Sequence, residues 1–346
     1  MKNKIDTVLV TGGAGFIGSH VAKHIVKMGH KVVVLDDLSG GYKDNIPQGA
    51  KFREGSVLDK RLLDDLFKKN RFDRVFHLAA YAAEGLSHFA RSFNYVNNVV
   101  GSAEIISRCI RFKCRRFVFT SSIAVYGAGQ VPMLESMVPR PEDPYGIAKF
   151  AVERDIEAAQ RLFGLDYVIF RPHNVYGENQ NIGDPFRNVV GIFMRQILNG
   201  ERLTIFGDGK QTRSFSYIDD VAPIIARSGW ASKARNEIFN IGGDIPCTVN
   251  ELAHQVAAAM GTTQKIMYLP LRMEVKDAYS DHEKAKKAFR ISKTFVSLQE
   301  GLSRMAVWVK ETGARQSRKL PAVEVWEKLP PSWKQALLLA GQKVVI

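Results

Sequence analysis

Residues 7–18 read TVLVTGGAGFIG, a β-branched run that ends in a glycine loop and passes directly into an amphipathic segment. No other stretch restricts the fold as much. A short apolar strand followed by a helix must find its next strand parallel to the first, because the helix carries the chain back along the sheet. The pattern then repeats. KVVVLDD (31–37), RVFHLAA (74–80), RFVFTSS (116–122) and LDYVIFRP (165–172) are strand-like. Between them, 17–28, KRLLDDLFKKN (60–70), 93–110 and PYGIAKFAVERDIEAAQRLFG (144–164) have helical periodicity. This alternation predicts an α/β fold, a Rossmann-like doubly wound parallel sheet with helices on both faces.

Within the loop, Gly12, Gly15 and Gly18 form G-x-x-G-x-x-G between strand and helix. Glycine at these places permits a tight turn and lets backbone approach a pyrophosphate, which the helix N-terminus faces. The glycine string alone is weak; in a strand–turn–helix context with a following acidic residue it becomes specific. That acid is Asp36, with Asp37 beside it. A carboxylate at Asp36 hydrogen-bonds a ribose diol and repels a 2′-phosphate, so NAD is expected rather than NADP. Asp59, after the next short strand, is expected near the adenine edge.

Beyond RPHNVYG (171–177) the alternation changes. Residues 177–188 read as a loop, 189–199 as an apolar helix, RLTIF (202–206) as a strand and GDGKQTRSFSYIDD (207–220) as a polar loop. EIFNIGG (237–243) is a strand, and TVNELAHQVAAAMG (248–261) a helix capped by Thr248. The expected organisation is a cofactor-binding domain over 1–175, a smaller α/β substrate lobe over 176–315 and a tail over 316–346. Segments near 205–245 are expected to return to the first domain. The tail is either an interaction segment or packs on the body.

Composition excludes little. The 346 residues are 45% hydrophobic, ample for a large core. No apolar run reaches the roughly 18 residues of a membrane span, and the N-terminus lacks the pattern of a signal peptide. Cys109, Cys114 and Cys247 are few and unpaired in pattern, which predicts reduced thiols and a cytoplasmic setting. A formal charge of +14 fits nucleic acid, an anionic surface or an anionic small substrate. The basic residues are scattered in short groups (111–116, 284–290, 315–319) without a nucleic-acid module, so no nucleic acid is expected. His20 and His24 have ligand spacing but lack a third partner, and no metal is expected. His77 reads as a core histidine.

Tyr145 precedes Lys149 by one helical turn in PYGIAK, and TSS (120–122) ends a strand, where open α/β sheets bind ligands. Together with TGGAGFIGSH, LDDLSGG, HLAA, NNVVGS, TSSIAVYG, RPHNVYG and FGDGKQTRSFSYIDDVA, these motifs resemble the extended short-chain dehydrogenase/reductase family. Within it, the chain is most similar to nucleotide-sugar 4-epimerases of the UDP-galactose type. The resemblance spans about residues 5–310. It implies NAD held by Gly12, Gly15, Phe16, Ile17, Gly18, Asp36, Asp37, Asp59, Ala79, Ala80, Asn98, Tyr145 and Lys149. It implies Tyr145 as base, Lys149 as its partner and Ser122 as a hydroxyl near the sugar 4-OH. Thr120, Ser121, Asn174, Arg187 and Arg213 are implied on the UDP-sugar. Arg272 and Glu274 stand where the family has R-x-G-D, with the spacing shortened by one and the glycine missing.

A free phenol ionises near pH 10, and lowering that by about 3 units takes roughly 4 kcal/mol. Lys149 and a positive nicotinamide are the expected sources. The phenolate would take the 4-OH proton as C4 gives up its hydride, and return of that hydride to the other face inverts C4. Ile123 and Ala124 follow Ser122, whereas related dehydratases and decarboxylases carry acids there, which favours simple 4-epimerisation. For the sugar, glucose/galactose comes first. Glucuronate is close behind, with Arg187 as a partner for its carboxylate. N-acetylhexosamine is third, with Ala278 leaving room at C2. A non-catalytic NAD-binding protein is the reading of a different class. The helices 93–110 and 149–163 match those through which the family pairs, which implies a homodimer.

Overall fold

The computed structural model describes residues 4–129, 131–272, 274–315, 320 and 322–342. In chain order the first part comprises β1 (Thr7–Thr11), α1 (Phe16–Lys27), β2 (Lys31–Asp36), β3 (Lys51–Glu54), α2 (Lys60–Asn70), β4 (Arg74–His77), α3 (Glu84–Ser87) and α4 (Arg91–Tyr95). A π-helical turn, Val96–Val100, leads into α5 (Gly101–Arg111), then β5 (Arg116–Thr120), α6 (Pro144–Phe163) and β6 (Tyr167–Pro172). Then come β7 (Val175–Tyr176), α7 (Val189–Leu198), β8 (Leu203–Phe206), β9 (Thr212–Ser214), β10 (Ser216–Tyr217), α8 (Ile218–Ser228) and β11 (Glu237–Ile241). The remainder is β12 (Pro246–Thr248), α9 (Val249–Met260), β13 (Ile266–Leu269), β14 (Asp277–Ala278), α10 (Glu283–Phe289), α11 (Leu298–Thr312) and α12 (Pro331–Leu339). The expected polar loop at 207–220 thus includes two short strands and the start of α8.

Seven parallel strands form the main sheet in the order β11-β6-β5-β4-β1-β2-β3. The strand side chains alternate between two cores. Val8, Val10, Val32, Val34 and Val118 face one, with α1 and α8; Leu9, Val33, Leu35, Phe117 and Phe119 face the other, with α2, α5 and α6. Period-2 alternation with both faces apolar is the signature of a sheet covered on both sides. After β3 the chain crosses to the far side of β1, so the strand order reverses between β1 and β4, and a crevice opens at their C-terminal ends. Asn240 and Ile241 of the returning β11 pair with Arg171 and Pro172 at the C-terminal end of β6.

Helix boundaries follow local chemistry. Asp143 accepts the Gly146 N–H at 2.9 Å, Pro144 opens α6, and Gly164 closes it at φ 72°. Thr248 and Glu251 form a reciprocal capping box on α9. The tail packs on the body: Val323, Trp326, Leu329, Trp333 and Leu337 share a core with Leu86 and Phe186. Glu324 accepts the N–H groups of Ser92 and Phe93 at 2.9 and 3.0 Å, capping the start of α4. Most of the basic group at 315–319 lies outside the described residues. No described helix is long and apolar enough to cross a membrane.

Candidate active site

A cavity of about 790 Å³ runs along the C-terminal ends of the strands from Asp36 to Tyr145. The glycine loop forms its floor. At Gly12, which sits at φ 69°, a Cβ would lie 2.7 Å from the Ala79 nitrogen; at Gly18 it would lie 2.1 Å from the Gly12 carbonyl oxygen. Side chains at either position would break the turn. Gly15 is the N-cap of α1 and supplies no side-chain acceptor, so the helix presents its first N–H groups to the cavity. Phe16, Ile17, Asp37, Ala79 and Ala80 also line it. Asp36 is buried, and its carboxylate accepts the N–H groups of Ala14 (2.9 Å) and Leu38 (2.8 Å), which braces the loop. Burial raises its carboxyl, and those hydrogen bonds oppose the rise.

Two residues expected at the cofactor do not line this cavity. Asp59 points away as the N-cap of α2, accepting Leu62 N–H at 3.0 Å, because the chain has already turned into the helix. Ser56, Val57 and Leu58 line the cavity instead. Asn98 is buried behind it. Its amide oxygen accepts the Tyr81 N–H at 3.0 Å and its amide nitrogen donates to the Tyr81 carbonyl at 3.2 Å, so it fastens the loop after β4. Val96 and Asn97, on the other side of the π turn, face the cavity.

Tyr145 and Lys149 share the inner face of α6 and are both buried. The Lys149 ammonium donates to the Thr120 carbonyl at 2.9 Å and sits 5.7 Å from the Tyr145 ring centroid. Burial pulls its pKa down to about 7, against the attraction of Glu153. The phenol of Tyr145 moves opposite to expectation. Burial pushes it above the usual value, Glu84 and Asp143 reinforce the rise, and a hydrogen bond with Ser122 and the charge of Arg187 oppose it. Lys149 does not offset burial in the protein alone. His77 is a satisfied core residue, bonded to Thr11 (2.7 Å) and Ser102 (2.9 Å). Thr120 and Ser121 line the cavity, and the buried Ser121 hydroxyl has no partner among the described residues.

A second cavity of about 590 Å³ adjoins the first, lined among others by Arg195, Arg213, Arg272, Glu274 and Ala278. Arg213 is anchored on the carbonyls of Thr212 (2.8 Å), Lys276 (2.7 Å) and Val275. Arg272 donates to Glu274 at 3.0 Å, and its guanidinium lies 4.6 Å from the Phe206 ring and 5.2 Å from that of Trp333. Trp333 had no sequence signal, since α12 lies beyond every recognisable motif. Arg187 is tied to Asp184 at 2.8 Å and lies over the Tyr81 ring. His173, bonded to His282 at 2.8 Å, lines the same space. The two cavities meet at Glu84, Ser122, Pro172, Asn174, Arg187 and Asn188, which line both. Glu84 also went unmarked in the sequence, standing in an ordinary turn after HLAA.

These residues fit NAD. The side-chain-free glycine cradle, the uncapped N-terminus of α1 and the carboxylate of Asp36 match a pyrophosphate and a ribose diol at one end. Tyr145 and Lys149 stand at the other.

A family model for the NAD-dependent epimerase/dehydratase family matches residues 8–242. A protein of Methanocaldococcus jannaschii described as a putative UDP-glucose 4-epimerase is 36% identical over 309 residues, 88% of this chain and 98% of its own length. The crystal structure of UDP-glucose 4-epimerase with UDP-glucose from Thermotoga maritima superposes with a TM-score of 0.81 at 35% identity, covering 88% of this chain and 99% of that one. The UDP-glucuronic acid 4-epimerase of Bacillus cereus, in complex with UDP-glucuronic acid and NAD, gives 0.79 at 29% identity, with coverage of 88% and 99%.

Proposed function

The chain belongs to the NAD-dependent epimerase/dehydratase family, and on that footing we propose that it inverts C4 of a UDP-hexose, interconverting UDP-glucose and UDP-galactose. The observation that carries this reading is the convergence of Ser122, Tyr145 and Lys149 where the cofactor cavity opens into an arginine-lined second cavity. Ile123 and Ala124, which follow Ser122, offer no proton carrier of the kind expected in related dehydratases and decarboxylases.

Bound NAD supplies a hydride acceptor and a positive charge beside the phenol. In the chain alone, burial keeps the proton on Tyr145, so the competent base belongs to the loaded enzyme. The Tyr145 oxygen then takes the 4-OH proton, with the Ser122 hydroxyl as its hydrogen-bonding neighbour. Lys149, pinned on the Thr120 carbonyl, holds its charge against the same ring. The same phenol returns the proton once the sugar has presented its other face. Arg213 and Arg272 hold the diphosphate while the sugar turns, so binding energy remote from C4 serves the reacting centre.

UDP-glucuronate is the second reading, and the pairing of Arg187 with Asp184 weighs against it. UDP-N-acetylglucosamine draws support from Ala278, a small residue on the wall of the second cavity. A binding protein without catalysis would not need the full set of Ser122, Tyr145 and Lys149. The test is proton NMR of purified protein incubated separately with UDP-glucose, UDP-glucuronate and UDP-N-acetylglucosamine. Conversion of UDP-glucose to a mixture of C4 epimers, abolished in Tyr145→Phe, is the expected result. No conversion of any of the three, even with NAD supplied, overturns the reading.

A further inference from the structure

The sugar of a UDP-hexose must stand where the two cavities meet, since one takes the cofactor and the other the nucleotide; this argument rests on the function proposed above. Among the six residues lining both cavities, Glu84 is the one carboxylate. It opens α3, and its side chain is exposed to both cavities. Among the described residues its carboxylate has no hydrogen-bond or ion-pair partner. The arginines near it are engaged elsewhere: Arg272 with Glu274 at 3.0 Å, Arg213 with backbone carbonyls and with Glu274 at 3.8 Å, Arg187 with Asp184 at 2.8 Å. Its two oxygens are therefore free to accept from a ligand at the point where the reacting ring must sit.

We infer that Glu84 is the specificity-determining residue of the sugar pocket: its carboxylate accepts hydrogen bonds from hexose hydroxyls and excludes a hexose bearing a carboxylate at C6. An ionised carboxylate only accepts, and its paired oxygens match two neighbouring hydroxyls. A uronate placed there meets like charge in a cleft of reduced dielectric. Selectivity then comes from a repulsive element as well as from attraction to the right ligand. The charged and titratable groups facing Glu84 are Asp143, Arg187, Arg213, Arg272, Glu274, His88 and the phenol of Tyr145. Burial and Asp143 raise its carboxyl while the two arginines oppose the rise, so its negative charge, and with it the exclusion, grows as pH increases.

The experiment is calorimetric titration of the NAD-loaded protein with UDP-glucose and with UDP-glucuronate, for wild type, Glu84→Gln and Glu84→Ala. Binding needs no turnover, so failure of the epimerase reading in the NMR assay leaves this measurement decisive. The expected result is that wild type favours UDP-glucose, and that both variants shift the affinity ratio toward UDP-glucuronate by about tenfold or more. The wild-type ratio widens as pH rises, and that of Glu84→Gln stays flat. A ratio unchanged in both variants, or a wild type that prefers the uronate, overturns the inference.

Discussion

Tyr145 is the residue whose behaviour depends most on what surrounds it. Removing its hydroxyl leaves Ser122, Lys149 and both cavities in place, so Tyr145→Phe should lower kcat by about 10³-fold while UDP-sugar affinity changes little. Stopped turnover assays beside calorimetry check this, and a matching loss of affinity would mean the ring serves binding. Lys149 acts at one remove. Its ammonium is pinned on the Thr120 carbonyl in a buried site, so Lys149→Met should lower kcat more than tenfold and move the acid limb of the pH–rate profile upward. An unmoved profile would leave Lys149 a structural role only. The identities of Ser122, Tyr145 and Lys149 were legible because their spacing reports a shared helix face and a strand end. The direction of the Tyr145 shift was not, because it depends first on burial and then on Glu84, both of which only the fold supplies. At Asp59 an acid after a strand was visible, but that it caps α2 turns on where the helix begins.

At the scale of elements, the parallel sheet was readable from alternation, and so were the caps of α6 and α9. The π turn at Val96–Val100 was not: it lies inside one continuous helical pattern, with Asn97 lining the cofactor cavity and Asn98 buried against the Tyr81 backbone. His77 joins elements at this scale, linking β1 through Thr11 to α5 through Ser102. Burial lowers its pKa from 6.5 to about 3. The unfolded chain therefore binds a proton that the folded chain refuses between those values, and stability falls as pH drops through that window, by about 1.4 kcal/mol per unit for this group. Buried carboxyls whose pKa is raised, such as Asp36 and Asp143, act in the opposite direction. Comparison with His77→Gln isolates the histidine: urea denaturation of the variant should lose less stability per pH unit below 6.5. Equal slopes would show that His77 does not contribute to acid sensitivity. The C-terminal helix α12 escaped the sequence because its nine residues are few and the apolar run at 336–339 blurs any periodicity, and its Trp333 lies against Arg272 across the cavity. Trp333→Ala should weaken UDP binding and speed proteolysis of 322–342, leaving the sheet intact.

On the scale of the whole molecule, the charge of +14 is met only in part at the second cavity, where Arg187, Arg195, Arg213 and Arg272 stand among Glu84, Glu142, Asp143, Glu201 and Glu274. The rest is scattered over the surface, as the sequence showed. Association between chains is the remaining question, and one face is suited to it. Val100 on the π turn and Ile147 in the first turn of α6 are 45% and 41% exposed, on elements packed against each other. Leu162 and Phe163 at the far end of α6 are 75% and 59% exposed. Apolar side chains gathered on two adjacent helices favour burial against a second copy, because a two-fold axis lets one patch serve as its own partner. We therefore propose a homodimer formed through these helices, with a solution mass twice 38.7 kDa by light scattering. Val100→Asp combined with Leu162→Asp should return the mass to that of one chain, since each charge would be buried without a partner. Neither side chain lines the cofactor cavity, so NAD binding should survive in the monomer. A wild-type protein that scatters as a single chain removes the dimer, and leaves the apolar face of these helices to solvent.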